Sequence, residues 1–208
     1  VFYEGEGAQV DGFLHDYATL ADACLTIASK IDWLQPGQSK LWQDRGRQCV
    51  DAALEKFGDP QMVGCFFTAE GVATPVARRK EWFDNATPSG NSVLLHALSG
   101  LHALTGEGKY AAEFQSTLPA YADYAAKVAA GVAHGLEAIT SEAIGLAVIK
   151  VRASADLAGL REALAAKPWR RCFIQQVGEA DLPASYQLCV GTQCLPPTDD
   201  LDQVMEQF

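Results

Sequence analysis

Apolar residues recur every three or four positions through most of the chain, and only near its end does the pattern change to unbroken apolar runs. Over residues 13–31, Phe13, Tyr17, Leu20, Cys24, Ile27 and Ile31 keep helical spacing and alanines fill much of the remainder. The polar positions shrink to a thin line of Asp16, Thr19, Asp22, Thr26 and Ser29, which predicts a helix buried on most sides. Pro36-Gly37 breaks it. Residues 39–57 place Leu41, Trp42, Cys49, Ala53, Leu54 and Phe57 on one face and charged residues on the other, an amphipathic helix that Gly58-Asp59-Pro60 ends. Residues 64–82 cluster aromatic and β-branched side chains around Glu70-Gly71, and an irregular β-hairpin is expected.

A second, nearly all-apolar helix is expected from Thr87 as N-cap and Pro88 as first helical residue through Thr105, with Gly106 as its stop. Lys109 to about Ala130 predicts a fourth helix kinked at Pro119, and residues 129–139 continue it. After Glu142 the run AIGLAVIKV suits a buried strand. Residues 156–166 predict a short helix, Trp169–Val177 and Ser185–Val190 two strands, and Asp199–Gln207 a closing helix. The fold class is therefore mainly α: an α-hairpin segment over residues 1–140 and a small α/β part over 141–208.

The long helices alternate between nearly all-apolar and amphipathic. Short connections make neighbours antiparallel, so this alternation predicts two layers, with the two apolar helices inner and mutually parallel. Their N-termini then share one side of the molecule. Asp16 and Tyr17 lie in the first turn of one; Ser89, Asn91 and Ser92 lie in the first turn of the other, just after Asp84 and Asn85. The stretch DNATPSGNS holds more small polar residues than one cap needs, and a ligand pocket is expected there. The same residue types are also good helix caps, and that reading stands beside it.

Of the 208 residues 49% are apolar, enough for a packed core. A net charge of -10 argues against nucleic acid or an anionic membrane as main partner, and Arg78-Arg79-Lys80 reads as a solvated turn. No apolar run reaches the roughly 18 residues of a membrane span. No signal peptide is evident, and the start at Val1 rather than Met suggests a fragment or a processed product. Six scattered cysteines are too few for a secreted disulfide scaffold, so a cytoplasmic location is expected. Asn85-Ala86-Thr87 matches the glycosylation pattern by chance on this reading.

Acid–base chemistry across such a pocket would use Asp16 and Asp84, with His15 or His96 as alternative bases. Trp82 and Phe83 could stack on a ligand ring or pack in the core, and Tyr17, Asn85, Ser89 and Asn91 would bind. No cofactor is expected. Cys189 and Cys194 bracket a tight turn and suit a redox or structural disulfide, passive thiols or, with Cys172, an incomplete zinc set; no metal site is expected.

GFLHDYATLADA, GCFFTA, DNATPSGNSVLLHALSGLHALTGEGKY and LCVGTQCLPPTDDLDQV follow one another as in the YyaL-like proteins, a thioredoxin-domain-containing family that includes spermatogenesis-associated protein homologues. The chain resembles their last third. The resemblance implies an (α/α) toroid similar to N-acylglucosamine 2-epimerase and six-hairpin glycosidases. It also implies a carbohydrate-active or sugar-binding module of epimerase or hydrolase type. Inner-helix surface left open would be covered by a companion chain or a second copy. The alternative is a non-catalytic interaction or scaffold module.

Overall fold

Helical spacing in the first stretch does produce a helix, α1 (Leu14–Ala28), and the 39–57 pattern produces α2 (Ser39–Phe57). The computed structural model describes residues 2–3, 7–8, 11–35, 37–72, 77–167 and 172–208. Ahead of α1, Phe2–Tyr3 (β1) and Gly7–Ala8 (β2) form a short antiparallel pair that the sequence pattern does not suggest. Pro36 of the expected helix break lies outside the described residues. A single 3-10 turn, Ile31–Trp33, joins the helices, and buried Asp32 accepts from the amides of Gln38 (2.8 Å) and Ser39 (2.9 Å) at the start of α2. α2 runs back along α1: Gly46 meets Leu25 and Ala21, while Phe57 at its end meets the Tyr17 ring edge-on at 5.3 Å.

The third helix, α3 (Gly90–Thr105), lies parallel to α1. A Cβ on Gly90 would stand 3.0 Å from Leu14, and one on Gly100 would stand 3.5 Å from Leu25, so both helices advance together. Their N-termini share one side, as the alternation predicts. α3 is buried from Gly90 through Leu101. α1 is not buried on most sides: Asp16, Thr19, Leu20, Ala23 and Thr26 are exposed, Leu20 at 55%. Helices α2 and α3 cover its two adjacent faces, and the third face has no cover among the described residues. α3 also begins later than expected. Its N-cap is Ser89, not Thr87, because the Ser89 amide is taken by the Asp84 carboxylate (2.9 Å) and the Ser89 hydroxyl accepts from the Ser92 amide (3.1 Å).

α4 (Gly108–Val128) carries Pro119 internally and buries Tyr110, Phe114, Thr117 and Tyr121 at steps of four, three and four. After a 3-10 turn, Ala129–Val132, comes α5 (Ala133–Ile144), which packs on α3 and α4. Gly135 permits that approach: a Cβ there would lie 2.8 Å from Tyr121 Cζ.

Segment 64–82 is not a β-hairpin among its described residues, and 73–76 lie outside them. One backbone bond, Phe67 N–H to Arg79 O (2.8 Å), links its two arms. Other backbone groups go to helix ends or side chains instead: Phe66 and Glu70 donate to the carbonyls of Phe57 and Lys56, Leu14 donates to Phe67, and Cys65 and Glu81 bond the Asn91 carboxamide. Those partners win over a ladder because the loop packs across the ends of α1 and α2.

The change of period after Glu142 does mark a sheet. β3 (Ala147–Arg152), α6 (Leu157–Ala165) and β4 (Cys172–Val177) form a parallel crossover unit, and β5 (Tyr186–Val190) and β6 (Gln193–Cys194) extend the sheet antiparallel in the order β4-β3-β5-β6. The first residues of the expected Trp169–Val177 strand lie outside the described residues. α7 (Leu201–Gln207) closes the chain behind an Asp200 cap. Alternation splits the sheet cleanly. Val148, Phe173 and Cys189 join the helical core, while Ala147, Ile149, Val151, Ile174, Tyr186 and Leu188 pack with Leu160, Val204 and Met205.

Candidate functional site

Several polar side chains converge at the start of α3. Each reaches backward to a loop or sideways to another helix. Asn91 is 4% exposed. Its Oδ1 accepts from the Cys65 amide (2.8 Å), and its Nδ2 donates to the carbonyls of Cys65 and Glu81 (both 2.9 Å). The carboxamide therefore acts as a strand neighbour, satisfying both backbone groups of Cys65 and tying two loops to α3. Gly64, at φ +81°, and Trp82 pack beside it.

Asp84 spans two helix starts. Its Oδ1 accepts from Ser89 N–H and its Oδ2 from His134 N–H, both at 2.9 Å, and its own amide donates to Gly131 O (2.7 Å). Both carboxylate oxygens thus satisfy helix-terminal amides that would otherwise lack acceptors. Ser89, Ser92 and Tyr121 form a buried hydroxyl chain, with Oγ–Oγ at 3.0 Å and Ser92 Oγ to Tyr121 Oη at 3.1 Å. Burial raises the Tyr121 phenol well above its ordinary value, with Ser92 opposing as a smaller effect. Trp82 is buried edge-on to Tyr121 and beside Tyr124.

Asp16 stays with its own helix end, where its Oδ2 accepts from Phe13 N–H (2.8 Å). Tyr17 packs on Phe57. His15 lies 3.4 Å from Thr19 Oγ1 on the surface. Asn85 and Phe83 are exposed, the latter against Tyr124. Of the expected site residues, then, Trp82, Asp84, Ser89 and Asn91 form one connected network, and Asp16 and Tyr17 belong to a separate contact set around Phe13 and Phe57. A cavity of about 160 Å³ lies elsewhere, between β5 and α7, lined by Leu188, Leu195, Pro196, Thr198 and Val204.

The fold also joins residues that the sequence pattern keeps apart. His96, buried on α3, places Nε2 3.0 Å from His134 O, and the two imidazoles lie 4.2 Å apart between centroids. His134 Nδ1 is 3.6 Å from Glu137 Oε2 one turn along α5. The one sequence signal for this pair was the His-x-x-Glu spacing, which aligns both residues on one helix face.

In the sheet, Cys189 and Cys194 are direct antiparallel partners joined by a disulfide across a turn in which Gly191 has φ +57°. Cys24, Cys49 and Cys65 are free thiols. Burial pushes the Cys65 thiol up to about 12. Cys65 should accordingly resist a thiol reagent at pH 8 in the folded protein and react once urea unfolds it; equal labelling rates in both states would contradict its placement.

The architecture is that of a mainly helical protein with a small mixed sheet and a polar lock at the start of its most buried helix. No protein-family model matches the chain. Among curated proteins it is similar to spermatogenesis-associated protein 20. The mouse protein is 33% identical over 112 residues, covering 50% of this chain and 13% of that protein. The human protein is 28% identical over 149 residues, covering 67% and 18%. The chain thus spans less than a fifth of the length of these relatives. The similarity is distant, and it agrees with the family resemblance carried by the PSGNS and CxxxxC segments. No described helix is long and apolar enough to cross a membrane.

Proposed function

We propose that this chain is a non-catalytic packing and interaction module, and that DNATPSGNS is its structural lock. One observation carries the reading: the polar side chains of Asp84, Ser89, Asn91 and Ser92 are all engaged inside the chain, chiefly with backbone groups. A catalytic carboxylate needs an oxygen directed at substrate, whereas both oxygens of Asp84 hold amides. The uncovered face of α1, with Leu20 and Ala23 exposed, supports association with a companion chain or a second copy. The α/α toroid arrangement belongs to this reading as the framework for such packing, and so does the division near residue 140.

The carbohydrate-active reading keeps one supporting observation. Phe83 and Asn85 stand exposed beside Asp84 and offer an aromatic face and an amide to a sugar ring. The cytoplasmic expectation rests on cysteine density, and the Cys189–Cys194 bridge weighs against it.

Asp84→Asn and Asp16→Asn separate the readings. An asparagine at 84 presents an amino group to one of two backbone donors, so the lock reading expects a loss of about 1–3 kcal/mol in urea unfolding. Asp16→Asn should cost only about 0.5 kcal/mol, as at an exposed helix cap. Unchanged stability in both variants, together with loss of binding to a monosaccharide or oligosaccharide panel, would favour the catalytic reading instead.

A further inference from the structure

We propose that His96, His134 and Glu137 form a binding site for a divalent first-row transition ion, with zinc as the natural probe. One ligand atom from each residue lies within 4.8 Å of the others. Ligands on a tetrahedral ion at about 2.0–2.2 Å sit roughly 3.3–3.6 Å apart, so the set must draw in by no more than about 1.5 Å. His134 and Glu137 are already 3.6 Å apart. Two imidazoles and one carboxylate are a donor set suited to zinc, iron, cobalt or nickel rather than to magnesium or calcium, which take oxygen.

Three features of the fold fit a cation here. The His96 ring is oriented by a hydrogen bond to the carbonyl of His134, the kind of contact that holds metal-binding imidazoles in place. The start of α5 carries the positive end of a helix dipole, which opposes a nearby cation. Asp84 offsets it, since its carboxylate sits on the His134 amide. Access is graded: His96 is buried, the His134 side chain is 30% exposed and that of Glu137 51%. A three-residue set open on one side leaves a coordination position for water or an exogenous ligand. The site shares the Asp84 contact with the lock, but none of its three ligand side chains is a lock residue, so metal binding and the lock are tested separately.

The test is titration of the full chain, freed of metal by chelator, with zinc in competition with a chromophoric chelator, and with cobalt for its visible d–d bands. The expected result is one ion per chain and tetrahedral-type cobalt absorption. Glu137→Gln and His134→Ala should each weaken zinc binding at least tenfold, since even losing a group that only orients a ligand costs about 10–100-fold. Their melting temperatures without metal should match the parent. Glu137→Gln is nearly isosteric at a half-exposed position and decides the matter alone if His134→Ala does not fold. Absence of stoichiometric zinc binding, or binding that Glu137→Gln leaves unchanged, overturns the proposal; the second outcome would place the ion on the cysteines or on surface carboxylates.

Discussion

Asn91→Leu is expected to destabilise the chain by about 3–5 kcal/mol, the largest effect of any single side chain considered. Leucine keeps the branched shape but is bulkier, so some overpacking adds to the loss. What is lost is the set of three bonds to Cys65 N–H, Cys65 O and Glu81 O, and the Cys65 groups are then buried without partners. Each such orphan costs about 1–3 kcal/mol. For a domain whose total stability is about 5–15 kcal/mol, that leaves a marginal protein. Asn91→Asp is the diagnostic companion. It preserves shape and the acceptor for Cys65 N–H but turns a carboxylate oxygen toward two carbonyls. It should therefore be at least as damaging at neutral pH as Asn91→Leu. Urea midpoints of the two variants check this, and an Asn91→Asp variant close to the parent would show that the amide donor bonds carry little.

Gly64→Ala is expected to cost about 2–5 kcal/mol. Part of that is conformational, since φ +81° is a left-handed backbone that costs an L-residue about 1–2 kcal/mol. The larger part is steric: the new Cβ would lie 2.5 Å from Trp82 Cζ2, and overpacking of this kind costs about 1–3 kcal/mol. Trp82 is constrained by its ring contacts with Tyr121 and Tyr124. Gly71 provides the internal control. It has a similar φ of +78° with nothing within 4 Å of its added Cβ. Gly71→Ala should therefore show the conformational cost alone, about 1 kcal/mol. Calorimetric melts of the two alanine variants give the comparison, and equal losses would remove the steric contribution at Trp82.

Much of the helical framework was legible because periodicity reports burial directly. The spacing of Cys49, Ala53 and Phe57 found α2, although Leu41, expected on the same apolar face, is exposed, and the apolar run after Glu142 found β3. The parallel course of α1 and α3 agrees with the alternation, although the connection between α2 and α3, residues 58–89, is long rather than short as expected. Periodicity misled at α1, whose alanines look equally apolar on every side; the exposed position of Leu20 depends on which neighbours are present to cover it. The hairpin expectation failed because aromatic and β-branched residues suit any half-buried backbone, and the amides of 64–82 found helix ends and Asn91 instead of one another.

The site was legible in place but not in purpose. DNATPSGNS was visible as an excess of hydrogen-bonding groups. Sequence distance hid what they bond: Asn91 reaches 26 residues back to Cys65, and Asp84 reaches 50 residues forward to His134. A cap is local and can be read from neighbours, whereas a lock between remote loops requires the fold. The pairing of His96 with His134 is hidden in the same way, 38 residues apart. Cys189 and Cys194 were visible as a pair across a tight turn with a disulfide as one of several readings; the strand register that sets them opposite one another decides for the bridge.

The central claim is that the polar start of α3 is bound up in holding the chain together. Three backbone amides report on it directly: Cys65, whose acceptor is the Asn91 side chain, and Ser89 and His134, whose acceptor is the Asp84 carboxylate. Amide hydrogen exchange resolved by NMR tests it. The account predicts that all three exchange slowly, with protection approaching that of the α3 core, and that Asn91→Ala releases Cys65 selectively. Rapid exchange of these amides in the unmodified protein would contradict the lock and return these side chains to solvent or to a ligand.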